Sequence, residues 1–145
     1  MKLAPGPRVL SVKQPWAWAI VSGIKRVENR SWETPYRGII YIHASRQLDT
    51  WGMSWFAKHK IKLPKDLPRG VVLGRCEIVD IVEGKRGKRF GKWFFGPKGW
   101  VVKNARRLAR PIKMKGKLGL ARATRTLVRR SKTSVAANSV SRTKR

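Results

Sequence analysis

The 145-residue sequence has almost no cysteine, no long apolar run and no acidic residue after Glu83. Cys76 is its only cysteine, which excludes an intrachain disulfide and a cysteine-based zinc cluster. The first twelve residues include a Pro-Gly-Pro sequence at positions 5–7 and lack the apolar core of a signal peptide or membrane span. We therefore expect a cytoplasmic protein in a reducing compartment, without a membrane partner.

Basic residues are abundant and unevenly distributed. Lys and Arg number 35 against seven Asp and Glu, which gives a formal net charge of +28. The last 62 residues contain 21 of these cations and no acid, so three-quarters of the net charge lies there. A one-signed segment of this length is typical of phosphate binding. No long amphipathic apolar face accompanies it, so an acidic membrane is the weaker alternative to nucleic acid.

The first 120 residues contain several short strand patterns and two helix patterns. The strand-like segments are Arg8–Val12, Gly38–Ala44, Val71–Val82, Gly99–Lys103 and Leu108–Ile112, and Gly116–Leu120 ends the ordered part. One helix is predicted from Pro15 to Val21, ended by Gly23, and a second over Arg46–Lys60, capped by Ser45. Pro111 limits its strand to a sheet edge.

These elements predict an α+β fold, a small mixed β-barrel with two flanking helices, because no regular βαβ alternation is present. From Ala121 onward the sequence has no periodicity able to bury an apolar face, so a disordered basic tail is expected. The predicted organisation is therefore a domain over residues 1–120 and a tail over residues 121–145.

Several segments, in order along the chain, resemble the activating signal cointegrator homology (ASCH) family, whose fold is similar to the PUA domain of RNA-modifying proteins. They are Leu10–Ala17, Gly23–Trp32, Tyr36–Gly38, Ile42–Ser45, Gly70–Ile81, Gly99–Val102 and Gly116–Leu120. The resemblance covers roughly residues 8–120. It implies a PUA-like barrel whose cleft, bounded by a Gly-x-Lys-x-x-Glu-x-Arg segment, binds RNA or nucleotides.

The resemblance also suggests catalytic residues. Some relatives are amidohydrolases that cleave N4-acetylcytidine with a lysine, a threonine three residues later and a glutamate on a following strand, and another has been described as a ribonuclease. Lys25 matches the lysine and Glu77 best matches the strand glutamate, whereas Glu28 stands in the threonine position. Lys25, Glu28 and Glu77 are the catalytic candidates, and no cofactor is expected.

Two buried polar positions need partners. Glu77 shares its predicted strand face with Leu73, Val79 and Ile81, so its carboxylate requires a cation, either neighbouring Arg75 or Lys25 across the cleft. His43 is interpreted as a hydrogen-bonded core histidine. His43 and His59 are far apart without a carboxylate cluster, so no metal site is predicted.

Cations and aromatic residues alternate in a pattern suited to a stacked base beside phosphates. The predicted nucleic-acid-binding residues are Lys13, Lys25, Arg30, Trp32, Tyr36, Arg37, Arg86, Lys88, Arg89, Arg106, Arg107, Lys115 and Lys117. The favoured function is a nucleic-acid-binding module with RNA as partner and DNA as the alternative. A hydrolase of the same fold and a component of a larger nucleoprotein particle are the competing hypotheses.

Overall fold

The computed structural model describes residues 6–133. Its strands are β1 (Arg8–Gln14), β2 (Val27–Arg30), β3 (Gly38–Leu48), β4 (Val71–Glu83), β5 (Lys98–Lys113) and β6 (Leu120–Arg122). Its helices are α1 (Trp16–Val21), α2 (Thr50–Lys58), α3 (Lys85–Lys88) and α4 (residues 125–133), and a 3₁₀ turn covers Gly91–Trp93. The α+β class predicted from the sequence is confirmed.

The strands form one mixed sheet in the order β2-β5-β4-β3-β1-β6. β1 and β3 are parallel, and the remaining neighbours are antiparallel. β2 pairs with only the first residues of β5, from Lys98 to Val101. From Asn104 onward, β5 therefore pairs with β4 alone among the strands of residues 6–133.

The predicted barrel is wrong, because the sheet does not close. β6 is three residues long and covers the edge of β1 only from Arg8 to Leu10. Beyond Leu10, a side-chain hydrogen bond connects β1 to β2. Arg30 on β2 donates from Nη2 to the Ser11 carbonyl oxygen, at 3.0 Å. The gap between β1 and β2 is bridged by this contact and stays open as a cleft.

Apolar side chains cover both faces of the sheet, since neighbouring residues of a strand point to opposite sides. On one face Leu10, Ile40 and Ile42 pack with α1 and α2 in the main core, which also contains Trp100. On the other face a smaller core joins Val9, Tyr41, Val72, Leu108, Ile112 and Leu127. The sheet therefore lies between α1 and α2 on one side and α4 on the other.

The second helix begins later than predicted. β3 continues to Leu48, which pairs with Gln14, so residues 46–48 are strand rather than helix. The N-cap is Asp49 instead of Ser45, and its Oδ1 accepts a hydrogen bond from Gly52 N at 2.9 Å. An aspartate at this position satisfies one of the free N–H groups of the first helical turn.

Two other segments also differ from the sequence prediction. The two strands expected over residues 99–103 and 108–112 are one strand, β5. Pairing with β4 continues through the residues between them, with shifts in register. Asn104, with φ of 57°, lies in this interval. The glycine-spaced basic loop of residues 84–89 contains the short helix α3.

The predicted disordered tail is wrong for residues 121–133, and its remainder, residues 134–145, lies outside the described residues. β6 pairs with β1, and α4 buries Leu127 in the second core. The Ser131 hydroxyl hydrogen-bonds with the Tyr41 hydroxyl at 2.9 Å, and both residues are buried. Leu127 and Ser131 lie one helical turn apart on the same face of α4, and partly buried Val128 packs beside them. These three residues dock the helix on the sheet.

Within residues 6–133, no helix has the length and apolar character needed to span a membrane.

Candidate nucleic-acid interface

The candidate site is the cleft between β1 and β2. It has a volume of about 370 Å³, which suits a single nucleotide or base. The lining residues are Ser11, Val12, Lys13, Trp16, Lys25, Glu28, Asn29, Arg30, Ser45, Asp49, Trp51 and Phe95. They come from β1, α1, the α1–β2 connection, β2, β3, α2 with its N-cap and the segment before β5, so the unclosed edge of the sheet creates the site.

One wall of the cleft is aromatic. Trp16 is nearly buried at 8% exposure, whereas Trp51 and Phe95 are 60% and 46% exposed. The Trp16 and Trp51 rings are stacked with centroids 6.3 Å apart, and Phe95 meets both edge-on at 5.6 and 5.8 Å. Two exposed rings on a buried one form a rigid platform on which a planar base can stack.

Asp49 and Asn29 hold this wall in position. Asp49 accepts a hydrogen bond from Trp16 Nε1 at 2.7 Å through the oxygen that does not cap α2. The Asn29 side-chain oxygen accepts from the backbone N–H groups of Phe95 and Gly96 at 2.8 and 3.1 Å. Asn29 Nδ2 donates to the Trp93 carbonyl oxygen at 3.0 Å. The loop that carries Phe95 is therefore fastened to β2.

A second part of the cleft lining is a buried network of charges. Lys25 is 2% exposed, and its ammonium donates to the Val27 carbonyl oxygen at 2.6 Å and to Glu28 Oε1 at 3.0 Å. Arg30 Nε donates to the other Glu28 oxygen at 3.0 Å. The Lys25 ammonium also lies 5.6 Å from the Trp16 ring centroid, so the charged and aromatic walls meet at this lysine.

The two cations decide the ionisation of Glu28. Burial acts to raise the pKa of this carboxyl, but the charges of Lys25 and Arg30 and the hydrogen bonds they donate outweigh burial and hold the pKa below its ordinary value of 4.5. Glu28 is therefore ionised in the folded protein at neutral pH, and the network presents one net positive charge to the cleft.

This lowered pKa predicts a pH dependence of stability. The folded protein binds a proton at Glu28 less readily than the unfolded chain does, so the stabilisation is complete above pH 4.5 and is lost as pH falls through the folded-state pKa. The free energy of unfolding should therefore drop more steeply below pH 4.5 in the natural protein than in Glu28→Gln. Urea titrations at several acidic pH values would measure the difference, and parallel profiles would contradict it.

Ser11 at the cleft is oriented from behind by His43. His43 is buried, its Nε2 donates to the Met114 carbonyl oxygen at 2.7 Å, and its Nδ1 accepts from the Ser11 hydroxyl at 3.0 Å. This neutral tautomer satisfies both ring nitrogens. The prediction of a hydrogen-bonded core histidine is confirmed. The Ser11 hydroxyl oxygen also accepts a long hydrogen bond from Lys117 N, at 3.4 Å, so one lone pair remains to accept another.

Of the predicted site residues, the structure brings Lys13, Lys25, Glu28 and Arg30 together in the cleft. Glu77 is not among them. It lines a separate hollow of about 210 Å³ with Arg75, Asn104 and Arg106, and it accepts a hydrogen bond from Asn104 Nδ2. Neither cation proposed as its partner forms a salt bridge with it among the described residues.

The burial argued for Glu77 is also wrong. A register shift in β4 between Val72 and Gly74 breaks the regular alternation of the strand. Leu73 then joins Cys76 and Ile78 in the main core, while Val79 is 42% exposed and Glu77 is half-buried. A partly solvated carboxylate with one amide donor does not require a buried cation.

The other predicted nucleic-acid-binding residues lie outside the cleft lining. Trp32 packs edge-on against Trp100 at 4.8 Å, the Tyr36 hydroxyl donates to the Ile39 carbonyl oxygen, and Arg37 donates to two backbone carbonyls nearby. Arg86 forms a 2.7 Å salt bridge with Asp80. The remainder are exposed on α3 and its C-terminal end (Lys88, Arg89), on β5 (Arg106, Arg107) and in the β5–β6 loop (Lys115, Lys117).

Sequence reasoning missed eight of the twelve residues that line the cleft: Ser11, Val12, Trp16, Asn29, Ser45, Asp49, Trp51 and Phe95. Trp51 lies in the predicted second helix, one turn before the buried Trp55, but it is 60% exposed at the N-terminal end of α2. The aromatic run at residues 93–95 was an available signal, because Gly96-Pro97 marks a turn that can expose its last ring.

Within residues 6–133, no three His, Cys, Asp or Glu side chains come close enough together to hold a metal ion.

Comparisons with known proteins agree on one family. The model of the ASCH domain matches residues 10–112. Activating signal cointegrator 1 of Homo sapiens is 37% identical over 87 residues, which are 54% of this chain and 15% of that protein. The Mus musculus protein of the same name is 35% identical over 85 residues, again 15% of its length. The chain thus spans a small part of the curated relatives it matches.

Solved structures show the same fold at lower identity. ASCH from Zymomonas mobilis superposes with a TM-score of 0.60 at 20% identity, covering 88% of this chain and 94% of that one. A mutant of the same protein superposes with a TM-score of 0.57 at 19% identity, covering 89% and 98%. At these identities the likeness establishes the architecture and leaves the role of the cleft to be argued from its own residues.

Proposed function

This chain belongs to the ASCH domain family, and from that premise we propose that it binds RNA by holding one unstacked base or nucleotide in the cleft between β1 and β2. The observation that carries the proposal is that one cleft is lined by both the aromatic rings of Trp16, Trp51 and Phe95 and the charged network of Lys25, Glu28 and Arg30. Aromatic stacking with nearby cations is how single-stranded nucleic acids are held.

The chemistry of the cleft suits a base better than a bare phosphate. Glu28 neutralises one of its two cation partners, so the site offers hydrogen-bond donors and acceptors rather than a concentrated positive charge. Ser11 can accept a hydrogen bond, and Arg30 retains guanidinium N–H groups beyond those bound to Glu28 and Ser11. A base edge presents both kinds of group, whereas phosphate oxygens only accept.

The geometry supports binding over hydrolysis. An amidohydrolase of the kind implied by the resemblance needs Lys25 and a strand glutamate at one substrate, but Glu77 lines a different hollow. The Lys25 ammonium donates to Val27 and Glu28, so it serves as a fixed hydrogen-bond donor in the wall of the cleft. A net charge of +28 also favours a polymer over a free nucleoside.

Trp51→Ala tests the proposal, because Trp51 is 60% exposed and its loss leaves the core in place. We expect affinity for single-stranded RNA to fall by about 5- to 150-fold, the equivalent of losing one stacked base at roughly 1–3 kcal/mol. Fluorescence anisotropy with a labelled oligonucleotide measures this, and DNA of the same sequence tests the preference for RNA.

Trp32→Ala is the matched control, since Trp32 is an exposed tryptophan outside the cleft lining. Circular dichroism should show both variants folded. Equal weakening by the two substitutions, or none by Trp51→Ala, would refute the cleft as the binding site.

A further inference from the structure

A second cationic surface lies at the C-terminal end of the described chain. Arg122 at the end of β6 and Arg125, Arg129 and Lys132 on α4 line a hollow of about 350 Å³ together with residues 6 and 7. The spacings of four and three residues place the last three side chains on one face of the helix. We call these four residues the α4 surface.

The α4 surface takes no part in packing the helix. Leu127 and Ser131 face the sheet and are buried, whereas all four cations are exposed. None of the four forms a salt bridge among the described residues, and the sequence has no acid after Glu83 to supply one. An exposed row of unneutralised cations, fixed on a docked helix, is a surface for an anionic partner.

Like charges one helical turn apart destabilise an isolated helix, so the repulsion among these cations lowers the stability of α4. The Leu127 contact and the Tyr41–Ser131 hydrogen bond keep α4 on the sheet despite that repulsion. The cations are therefore displayed in a defined geometry, unlike those of a flexible tail.

We propose that the α4 surface binds the phosphate backbone of a nucleic acid strand. Seven residues of α-helix separate Arg125 from Lys132, a distance of about 10 Å along the axis. Phosphates of a stacked strand follow one another at about 3.4 Å along its axis, so the row spans about three phosphate-to-phosphate spacings and exceeds a single phosphate group.

The position of the surface relates it to the cleft. β6 occupies the edge of β1 over Arg8–Leu10, and the cleft opens at the same edge from Ser11 to Lys13. Pro7, which borders the α4 surface, lies four to six residues from this stretch, or about 13–20 Å at the rise of a strand. A strand with a base in the cleft would thus reach the α4 surface after about four to six stacked nucleotides.

This inference rests on the proposed RNA binding, and a length comparison separates the two. The test variant is Arg125→Gln, Arg129→Gln, Lys132→Gln, since glutamine preserves helix propensity while removing charge. The control is Lys58→Gln, Lys62→Gln, Lys65→Gln, which removes equal charge from exposed residues elsewhere. Binding of a dinucleotide and a fifteen-nucleotide single-stranded RNA is measured over a salt series.

The α4 variant should bind the dinucleotide like the natural protein and bind the longer RNA with a log–log salt slope shallower by about 2, from three lost contacts at about 0.7 each. Between about 50 and 200 mM salt, the advantage of the natural protein on long RNA should then shrink by about 15-fold. The control variant should change the salt slope for the longer RNA less than the α4 variant does.

Three results would overturn the inference: equal slopes for the α4 and control variants, equal weakening of both RNA lengths, or α4-dependent binding to anionic vesicles without an effect on RNA. If Trp51→Ala weakens both lengths while the α4 variant changes neither, RNA binding in the cleft stands and the α4 surface is excluded. If the natural protein binds neither RNA, both proposals fail.

Discussion

Glu28→Gln is expected to lower the free energy of unfolding by about 3–5 kcal/mol, the cost of leaving one partner of a buried ion pair uncompensated. Lys25 is 2% exposed, and without the carboxylate its ammonium keeps its hydrogen bond to the Val27 carbonyl oxygen but has no opposite charge beside it among residues 6–133. Urea denaturation at neutral pH measures the change, and the melting temperature should fall by roughly 10 °C.

The double variant Lys25→Met, Glu28→Gln provides the control. Methionine fills a similar volume without a charge, so the double variant should be more stable than Glu28→Gln alone, and the two substitutions should be strongly non-additive. If the double variant is less stable than either single one, the cost comes from lost packing and the ion-pair explanation is wrong.

Leu127→Ala should destabilise the protein by about 2–5 kcal/mol, the usual cost of truncating a buried leucine. Leu127 is 4% exposed and packs in the second core with Val9, Tyr41 and Val72. The segment after Leu120 was expected from sequence to contribute no core, so this substitution decides directly between a docked helix and a tail.

Leu118→Ala is the matched control, because Leu118 lies nearby in the chain and is 99% exposed. Its free energy of unfolding should change by less than about 0.5 kcal/mol. Equal effects of the two substitutions in urea titrations, or no effect of either, would show that α4 does not stabilise the fold.

The sequence allowed the architecture to be predicted where patterns are local. β4 differs from its prediction by one residue, since β-branched alternation bounded by Gly70 and Gly84 leaves little choice. The end of β3 and the docking of α4 could not be predicted, because both depend on partners distant in sequence: Gln14 for Leu48, and Tyr41 for Ser131. The prediction of a closed barrel was wrong for the same reason, because closure also depends on pairing between strands distant in sequence.

The candidate site was predicted in part. Lys25, Glu28 and Arg30 lie within six residues, so a motif could identify them together, and the cleft contains all three. Trp51 and Phe95 are 44 residues apart in sequence, and their rings meet through tertiary structure, with the Phe95 loop held to β2 by Asn29. Glu77 was misplaced because a register shift, invisible in the residue pattern, alters the alternation of β4.

From Asn104 onward, β5 has β4 on one side and no strand of residues 6–133 on the other. This free edge has a consequence for contacts between molecules. An exposed strand edge can extend its sheet into a second copy, the first step of edge-to-edge aggregation. Here the edge from Asn104 onward carries Arg106, Arg107, Arg110 and Lys113, while Pro111 offers no N–H for pairing. Two such edges brought together would set like charges opposite one another. The charges on this edge of β5 thus resist growth of the sheet into a polymer of copies.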